Sequence, residues 1–198
     1  MKILIIGGFL GSGKTTVLKK IAISIVSGGQ SVAIIENEIG EIGIDQDIIE
    51  EIGVSVTPIF GGCVCCQLTG NLFEGIKEVK ADLNPDWLLI ECTGFAIMTE
   101  IIEAFHANSD PDVPAYTISV LDISRFKIFM KAMRSVIASQ LDGVDLVLVN
   151  KTDIAPLLEQ DKTLISEMSA QAVILTIAAT EIEDDKLWKT VSNALFYQ

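Results

Sequence analysis

The sequence predicts an α/β fold of three layers, a mainly parallel sheet with helices on both faces. Three observations predict it. Short apolar runs alternate with segments of helical spacing along the chain. The runs are apolar throughout rather than every second residue, as in strands covered on both sides. The residues with special chemistry follow those runs directly, at the carboxyl ends where ligands gather in such sheets. A length of 198 residues, of which 49% are hydrophobic, suits one domain with a sizeable core.

The first run, Ile3-Leu4-Ile5-Ile6, reads as a buried strand, and Val17 to Val26 as a helix. Between them lies Gly7-Gly8-Phe9-Leu10-Gly11-Ser12-Gly13-Lys14-Thr15-Thr16, where Gly8, Gly13, Lys14 and Thr15 fit G-x-x-x-x-G-K-[ST]. Glycines let the backbone curl several N–H groups around one anion. The helix that follows points its positive end at the same place. Lys14 supplies charge for the outer phosphates, and the Thr15 hydroxyl is a ligand for Mg²⁺. Gly11, Ser12, Gly13, Lys14, Thr15 and Thr16 are therefore candidate nucleotide-binding residues, and the fold expected is that of the P-loop NTPases.

The turn Gly28-Gly29 leads to a second strand, Ser31 to Asn37. Residues 37–51 are too polar and glycine-rich for a regular element. Val54 to Ile59 fits an edge strand, because Pro58 bars a central one. Leu68, Phe73, Ile76 and Val79 have helical spacing; Asp86 to Glu91 is a buried strand ending in acid. Met98 to Ala107 is a helix broken by 108–114. Tyr116 to Leu121 and Val144 to Val149 are strands with helices between them. Asp161 to Ala170, Val173 to Ile177 and Asp184 to Phe196 close the chain as helix, strand and helix. One P-loop domain over 1–198 is the expected organisation.

A formal net charge of −13 argues against general nucleic-acid binding. No apolar run approaches the roughly 18–20 residues of a membrane span, and Met1-Lys2 leads straight into the first strand, so a soluble, cytoplasmic protein is expected. No Lys, Arg or His stands between Lys20 and Lys77, whereas Glu36, Glu38, Glu41, Asp45, Asp47, Glu50 and Glu51 crowd together. A solvated acidic face is the plainer reading; cations held beside the phosphate loop are the sharper one.

Asn150-Lys151-Thr152-Asp153 follows an apolar strand and matches N-K-x-D, the guanine-reading motif of GTPases. The Asp153 carboxylate can accept from guanine N1–H and its exocyclic amine, a pair adenine lacks, and the Lys151 stem can lie along the ring. Asn150, Lys151 and Asp153 are thus candidate base contacts for GTP and GDP. In Ile90-Glu91-Cys92-Thr93-Gly94, Glu91 can hold Mg²⁺ through water and Gly94 can bring its N–H to the outer phosphate. With Lys14 these are the candidate catalytic residues. Cys92 reads as core, and His106 as an ordinary helix residue. Lys127, Lys131 and Arg134 have helical spacing, which suits a solvated face or a docking face.

Gly61-Gly62-Cys63-Val64-Cys65-Cys66 sets three of the four cysteines within one short turn. Crowded thiolates repel, and a soft cation resolves that. Zn²⁺ takes four ligands and this turn supplies at most three. Any site is completed by water, a second subunit or a carboxylate, with Glu36 and Glu41 the obvious carboxylates. A redox thiol group is the competing reading.

Gly7 to Thr16, Glu36 to Glu41, Gly61 to Cys66, Ile90 to Gly94 and Asn150 to Asp153, in this order, resemble the CobW-type metallochaperone GTPases, relatives of the hydrogenase and urease nickel-insertion GTPases. The resemblance implies a slow GTPase with Mg²⁺ at Thr15. It also implies a site for Zn²⁺ or another transition metal, drawn from Cys63, Cys65 and Cys66 with Glu36 and Glu41. In that family, nucleotide state is coupled to metal binding or dimer contacts. A client metalloprotein or corrinoid protein is then the expected partner, and a nucleotide-dependent homodimer one expected arrangement. The family's C-terminal domain and histidine-rich stretch are not expected in 1–198. The alternative is a nucleotide-dependent assembly or activation switch for a metal- or corrinoid-dependent enzyme, without metal delivery.

Overall fold

The computed structural model describes residues 1–36, 55–58, 71–108, 110, 112–169 and 171–196. Their strands form a seven-stranded sheet, with β1 (Lys2–Gly7), β2 (Val32–Glu36), β3 (Ser55–Pro58), β4 (Trp87–Glu91), β5 (Ala115–Asp122), β6 (Leu146–Asn150) and β7 (Val173–Thr176). The order across the sheet is β3-β2-β4-β1-β5-β6-β7, and every pairing is parallel. Seven described helices connect them: α1 (Lys14–Ser27), α2 (Asn71–Asp82), α3 (Met98–Asn108), α4 (Phe126–Ala132), α5 (Arg134–Leu141), α6 (Glu159–Met168) and α7 (Asp184–Phe196).

The uniformly apolar strands have the expected cause. Along β1, Ile3 and Ile5 join the core on one face while Leu4 and Ile6 join the core on the other. The first core collects Phe73 and Val79 of α2, Ile101 and Phe105 of α3, Ile137 and Leu141 of α5, and Ile165 of α6. The second collects Leu18, Ile21 and Ile25 of α1 with Leu187, Val191 and Leu195 of α7. Lys20 to Asp184 (2.9 Å) and Ser24 to Asp185 (2.8 Å) tie α1 to the start of α7.

β3 lies at the edge of the described sheet, the position where a proline is tolerated. Helix boundaries differ from expectation in one instructive place. Lys127 and Lys131 lie on α4, but Arg134 opens α5, because the chain bends at Met133 (φ −147°, ψ 42°). The bend turns Ile137 and Leu141 inward, so the three cations do not share one continuous helix. Cys92 is buried, as expected of a core thiol, and His106 is exposed near the end of α3.

The register fixes what meets at the carboxyl edge. Ile6 pairs with Glu91, Glu36 with both Glu91 and Pro58, and Asp122 with Asn150. The chain turns back between β2 and β1 to lay down β4 there, and such a switch point opens a crevice above the strand ends.

Candidate functional site

The loop after β1 is shaped by three positive-φ glycines, Gly8 (133°), Gly11 (72°) and Gly13 (103°). Two of them have no room for a side chain. A Cβ on Gly8 would strike the Val120 carbonyl, and one on Gly13 would strike the Asn150 amide. α1 begins immediately, at Lys14, with no side chain capping its N-terminus and no acid in its first turn. Its first N–H groups and positive dipole end therefore suit an anion. Ser12 is fully buried in the loop, and its Oγ has no hydrogen-bond partner among the described residues. Lys14 is buried, its Nζ 3.5 Å from the Phe9 carbonyl, and Thr16 is half-buried in the first turn of α1. A tight, uncapped, cationic cradle of this kind fits a polyphosphate.

Beneath it, the Thr15 hydroxyl donates to Glu91 Oε1 at 2.8 Å. Glu91 is buried at the end of β4, so the hydroxyl and carboxylate expected to share Mg²⁺ already face each other. Gly94 lies against the loop: a Cβ there would come within 2.8 Å of the Leu10 backbone nitrogen. Its carbonyl accepts from Gln140 Nε2 at 2.9 Å, which fixes this segment to α5.

On the base side, the N-K-x-D residues divide their labour. The Asn150 amide donates to the Ser12 carbonyl (2.8 Å) and accepts from the Ala179 N–H (2.9 Å). It thus binds the phosphate loop to the segment after β7. Lys151, at φ 63°, donates from Nζ to the Gly11 carbonyl (2.8 Å) and to Asp122 Oδ2 (2.7 Å). Its stem is thereby stretched along the rim, where a planar base would lie. Asp153 is exposed beside it.

Asp122, Arg125, Gln140 and Ala179 are site residues that the motifs do not contain. Asp122 ends β5, and that position at a strand's carboxyl end was the one available signal for it. Burial, the largest single influence on Asp122, pushes its carboxyl up. The hydrogen bonds from Lys151 and Ser124 and the Lys151 charge together outweigh burial and hold it below the usual carboxylate value.

For the metal reading, Glu36 ends β2 directly across from Glu91. Glu41, Cys63, Cys65 and Cys66 lie outside the described residues, as does most of the acidic stretch. Among the described residues, no group of three or more His, Cys, Asp or Glu side chains is placed to hold a metal. None of the described helices is long and apolar enough to cross a membrane.

Comparison with known proteins agrees with this geometry. The zinc chaperone YjiA of Escherichia coli (strain K12) is 29% identical over 191 residues, which cover 92% of this chain and 59% of YjiA. The chain thus spans little more than half the length of that relative. Hydrogenase maturation factor HypB from Archaeoglobus fulgidus superposes with a TM-score of 0.69 at 16% identity, over 98% of this chain and 90% of HypB. Zn(II)-bound YjiA GTPase from E. coli superposes with a TM-score of 0.68 at 24% identity, over 99% of this chain and 62% of that structure. Both structures share the fold. A family model described as CobW/HypB/UreG, nucleotide-binding domain, matches residues 2–178. The chain belongs to the CobW/HypB/UreG family.

Proposed function

We propose that this protein binds and slowly hydrolyses GTP and couples its nucleotide state to binding and delivery of Zn²⁺ or a similar transition metal. One observation carries the reading. The Thr15–Glu91 pair, the end of β2 at Glu36 and the end of β3 at Pro58 occupy one sheet edge. The acidic stretch begins at Glu36, and Cys63-Val64-Cys65-Cys66 follows shortly after Pro58 in the sequence. Nucleotide chemistry and the candidate metal ligands thus have their roots side by side. The names of relatives such as the zinc chaperone YjiA support the metal as cargo.

In the reaction, Lys14 and the N–H groups of the Gly8–Gly13 loop hold the phosphates. Thr15 and Glu91 would hold Mg²⁺, which neutralises charge on the outer phosphates. Lys151 lies along the face of the base while Asp153 accepts from its N1–H and amine, and Asn150 keeps the phosphate loop and the segment after β7 in fixed relation. Hydrolysis then rests on positioning and charge compensation rather than covalent chemistry. The test is calorimetric titration of Zn²⁺ into the GDP-bound and the GTPγS-bound protein. The expected result is a different Zn²⁺ affinity in the two states; equal affinity removes the coupling and leaves a GTPase.

A specific observation favours the second reading, a partner-binding switch without metal delivery. Leu10 (56% exposed) and Phe95 (61% exposed) stand out of the loop and the segment after β4, on the rim itself. Changing Cys63, Cys65 and Cys66 together to Ser separates the two. Client activation that survives this change supports the switch; loss of activation with folding intact supports delivery.

A further inference from the structure

The rim of the phosphate loop carries a cation that none of the motifs contains. Arg125 closes the turn after β5, where its N–H donates to the Asp122 carbonyl at 3.3 Å. The next residue, Phe126, is buried, and Phe129, one turn on, packs against Phe9 of the loop with ring centroids 4.6 Å apart. The root of Arg125 is therefore fixed beside the loop. Its tip reaches solvent: the side chain is 53% exposed, and Nε stands 3.6 Å from Asp122 Oδ2, an ion pair longer than a hydrogen bond. Asp122 does not need it. Lys151 already donates to Oδ2 at 2.7 Å, and Ser124 donates to Oδ1 from its N–H and its hydroxyl. The guanidinium lies over Gly11, with Nη1 3.5 Å from where a Gly11 side chain would begin. A half-exposed positive charge, held to Asp122 only at ion-pair distance, thus rests on the open face of a phosphate cradle, in a chain whose net charge is −13.

We propose that Arg125 is a catalytic residue supplied in cis, its guanidinium swinging across Gly11 onto the phosphates of bound GTP to stabilise the transferring phosphoryl group. This rests on the hydrolase reading above. In the step, an oxygen of water bonds to the γ-phosphorus as the bond to the β–γ bridging oxygen breaks. That oxygen leaves with the electron pair on GDP, and the water's proton passes to the released phosphate. Arg125 stays protonated throughout and bonds the equatorial oxygens, where negative charge spreads in a loose transition state. A fixed root with a solvent-exposed tip lets the charge exchange Asp122 for the phosphates once nucleotide is in place. Gly11 leaves its path clear.

The test uses the full chain and its Arg125→Ala and Arg125→Lys variants. Single-turnover GTP hydrolysis at saturating Mg²⁺–GTP is read beside the affinity for a fluorescent GDP analogue. Arg125→Ala should lower the hydrolysis rate about tenfold or more while GDP affinity changes by less than about threefold, since the contact forms in the transition state. Arg125→Lys should recover only part of the rate, because a point charge lacks the planar fork. An unchanged rate in Arg125→Ala overturns the proposal. So does a rate that falls by the same factor as GDP affinity, which would make Arg125 a ground-state clamp. Wild-type protein that binds GDP but never hydrolyses GTP sinks both this role and the hydrolase reading; an active wild type with an equally active Arg125→Ala sinks this role alone.

Discussion

The two edges of the sheet are built on opposite principles. At the amino edge, Trp87 opens β4 and Tyr116 is the second residue of β5, and both close against Trp188 and Phe196 of α7. Ring centroids lie 5.1 Å apart for Trp87–Trp188 and 4.8 Å for Tyr116–Phe196, and Lys2 caps the cluster 5.2 Å above Trp87. At the carboxyl edge, the strands end in Gly7, Glu91, Asp122 and Asn150. Positive-φ glycines, buried charge and the orphan Ser12 hydroxyl are collected there. One edge buries aromatic surface in favourable pair geometries; the other holds polar groups whose best partner is a ligand. Stability and function are thereby placed at opposite ends of the same strands, and changes at each edge should have separable effects.

The largest effect should come from the amino edge. Trp87→Ala removes the centre of the aromatic cluster and should cost about 3–5 kcal/mol of stability, read from chemical denaturation. The protein that remains folded should keep its GDP affinity, because the ring and cation contacts of the cluster among the described residues join it to Lys2 and α7 at the amino ends of the strands, away from the phosphate loop. A large affinity loss in folded protein would show that the edges are not independent. The matching change at the carboxyl edge is Lys14→Ala. It should lower GTP hydrolysis by roughly 10²–10³-fold, the usual cost of one preorganised charge contact. The denaturation midpoint should move little. A midpoint that falls as far as in Trp87→Ala would erase the contrast.

Asn150 sharpens the comparison, because it belongs to the site and yet holds the fold together there. Asn150→Ala leaves the buried Ser12 carbonyl and Ala179 N–H without their partner, at a cost of about 1–3 kcal/mol. It should also weaken guanine-nucleotide binding, since the phosphate loop and the base pocket lose their common brace. Loss of stability without loss of affinity would make Asn150 a purely architectural residue.

The same residue shows what the sequence could and could not convey. Strand placement was legible because apolar runs report burial on both faces. The phosphate loop and Glu91 were legible because their chemistry is local: glycine, lysine and hydroxyl within one turn, and an acid ending a strand. N-K-x-D marked Asn150, Lys151 and Asp153 as candidate base contacts, but not Asn150 bracing Ser12 against Ala179, a contact made only when three loops converge. Asp122 and Arg125 were missed for the same reason. Beyond Asp122's place at the end of a strand, nothing near them in the sequence marks them; Asp122 is set against Lys151 by the pairing of β5 and β6, and Arg125 lies beside Gly11. The break at Met133 was hidden because Lys127, Lys131 and Arg134 keep helical spacing across it. Glu41 and the three clustered thiols lie outside the described residues, so their arrangement rests on sequence alone.

The smallest predicted effect is also the one with a defined pH signature. Asp122 is buried at the carboxyl edge, with its carboxyl held below its ordinary value despite burial. A carboxyl depressed in the folded state adds stability above the unfolded pKa, about 3.9, and that contribution disappears as pH falls through the lower folded value. Asp122→Asn should therefore lower stability near neutrality by about 1 kcal/mol, seen as roughly 2–4 °C in melting temperature. The gap from wild type should hold down to about pH 4 and close below it, as wild-type Asp122 takes up its proton. A gap independent of pH would mean that shape and hydrogen bonding, rather than the Asp122–Lys151 charge pair, account for the contribution. Because Lys151 also holds the Gly11 carbonyl, the same acid titration should loosen the phosphate loop, and GDP affinity should fall with the same midpoint. At the amino edge Trp87 carries no titrating group, so the penalty of Trp87→Ala should stay constant over that pH range.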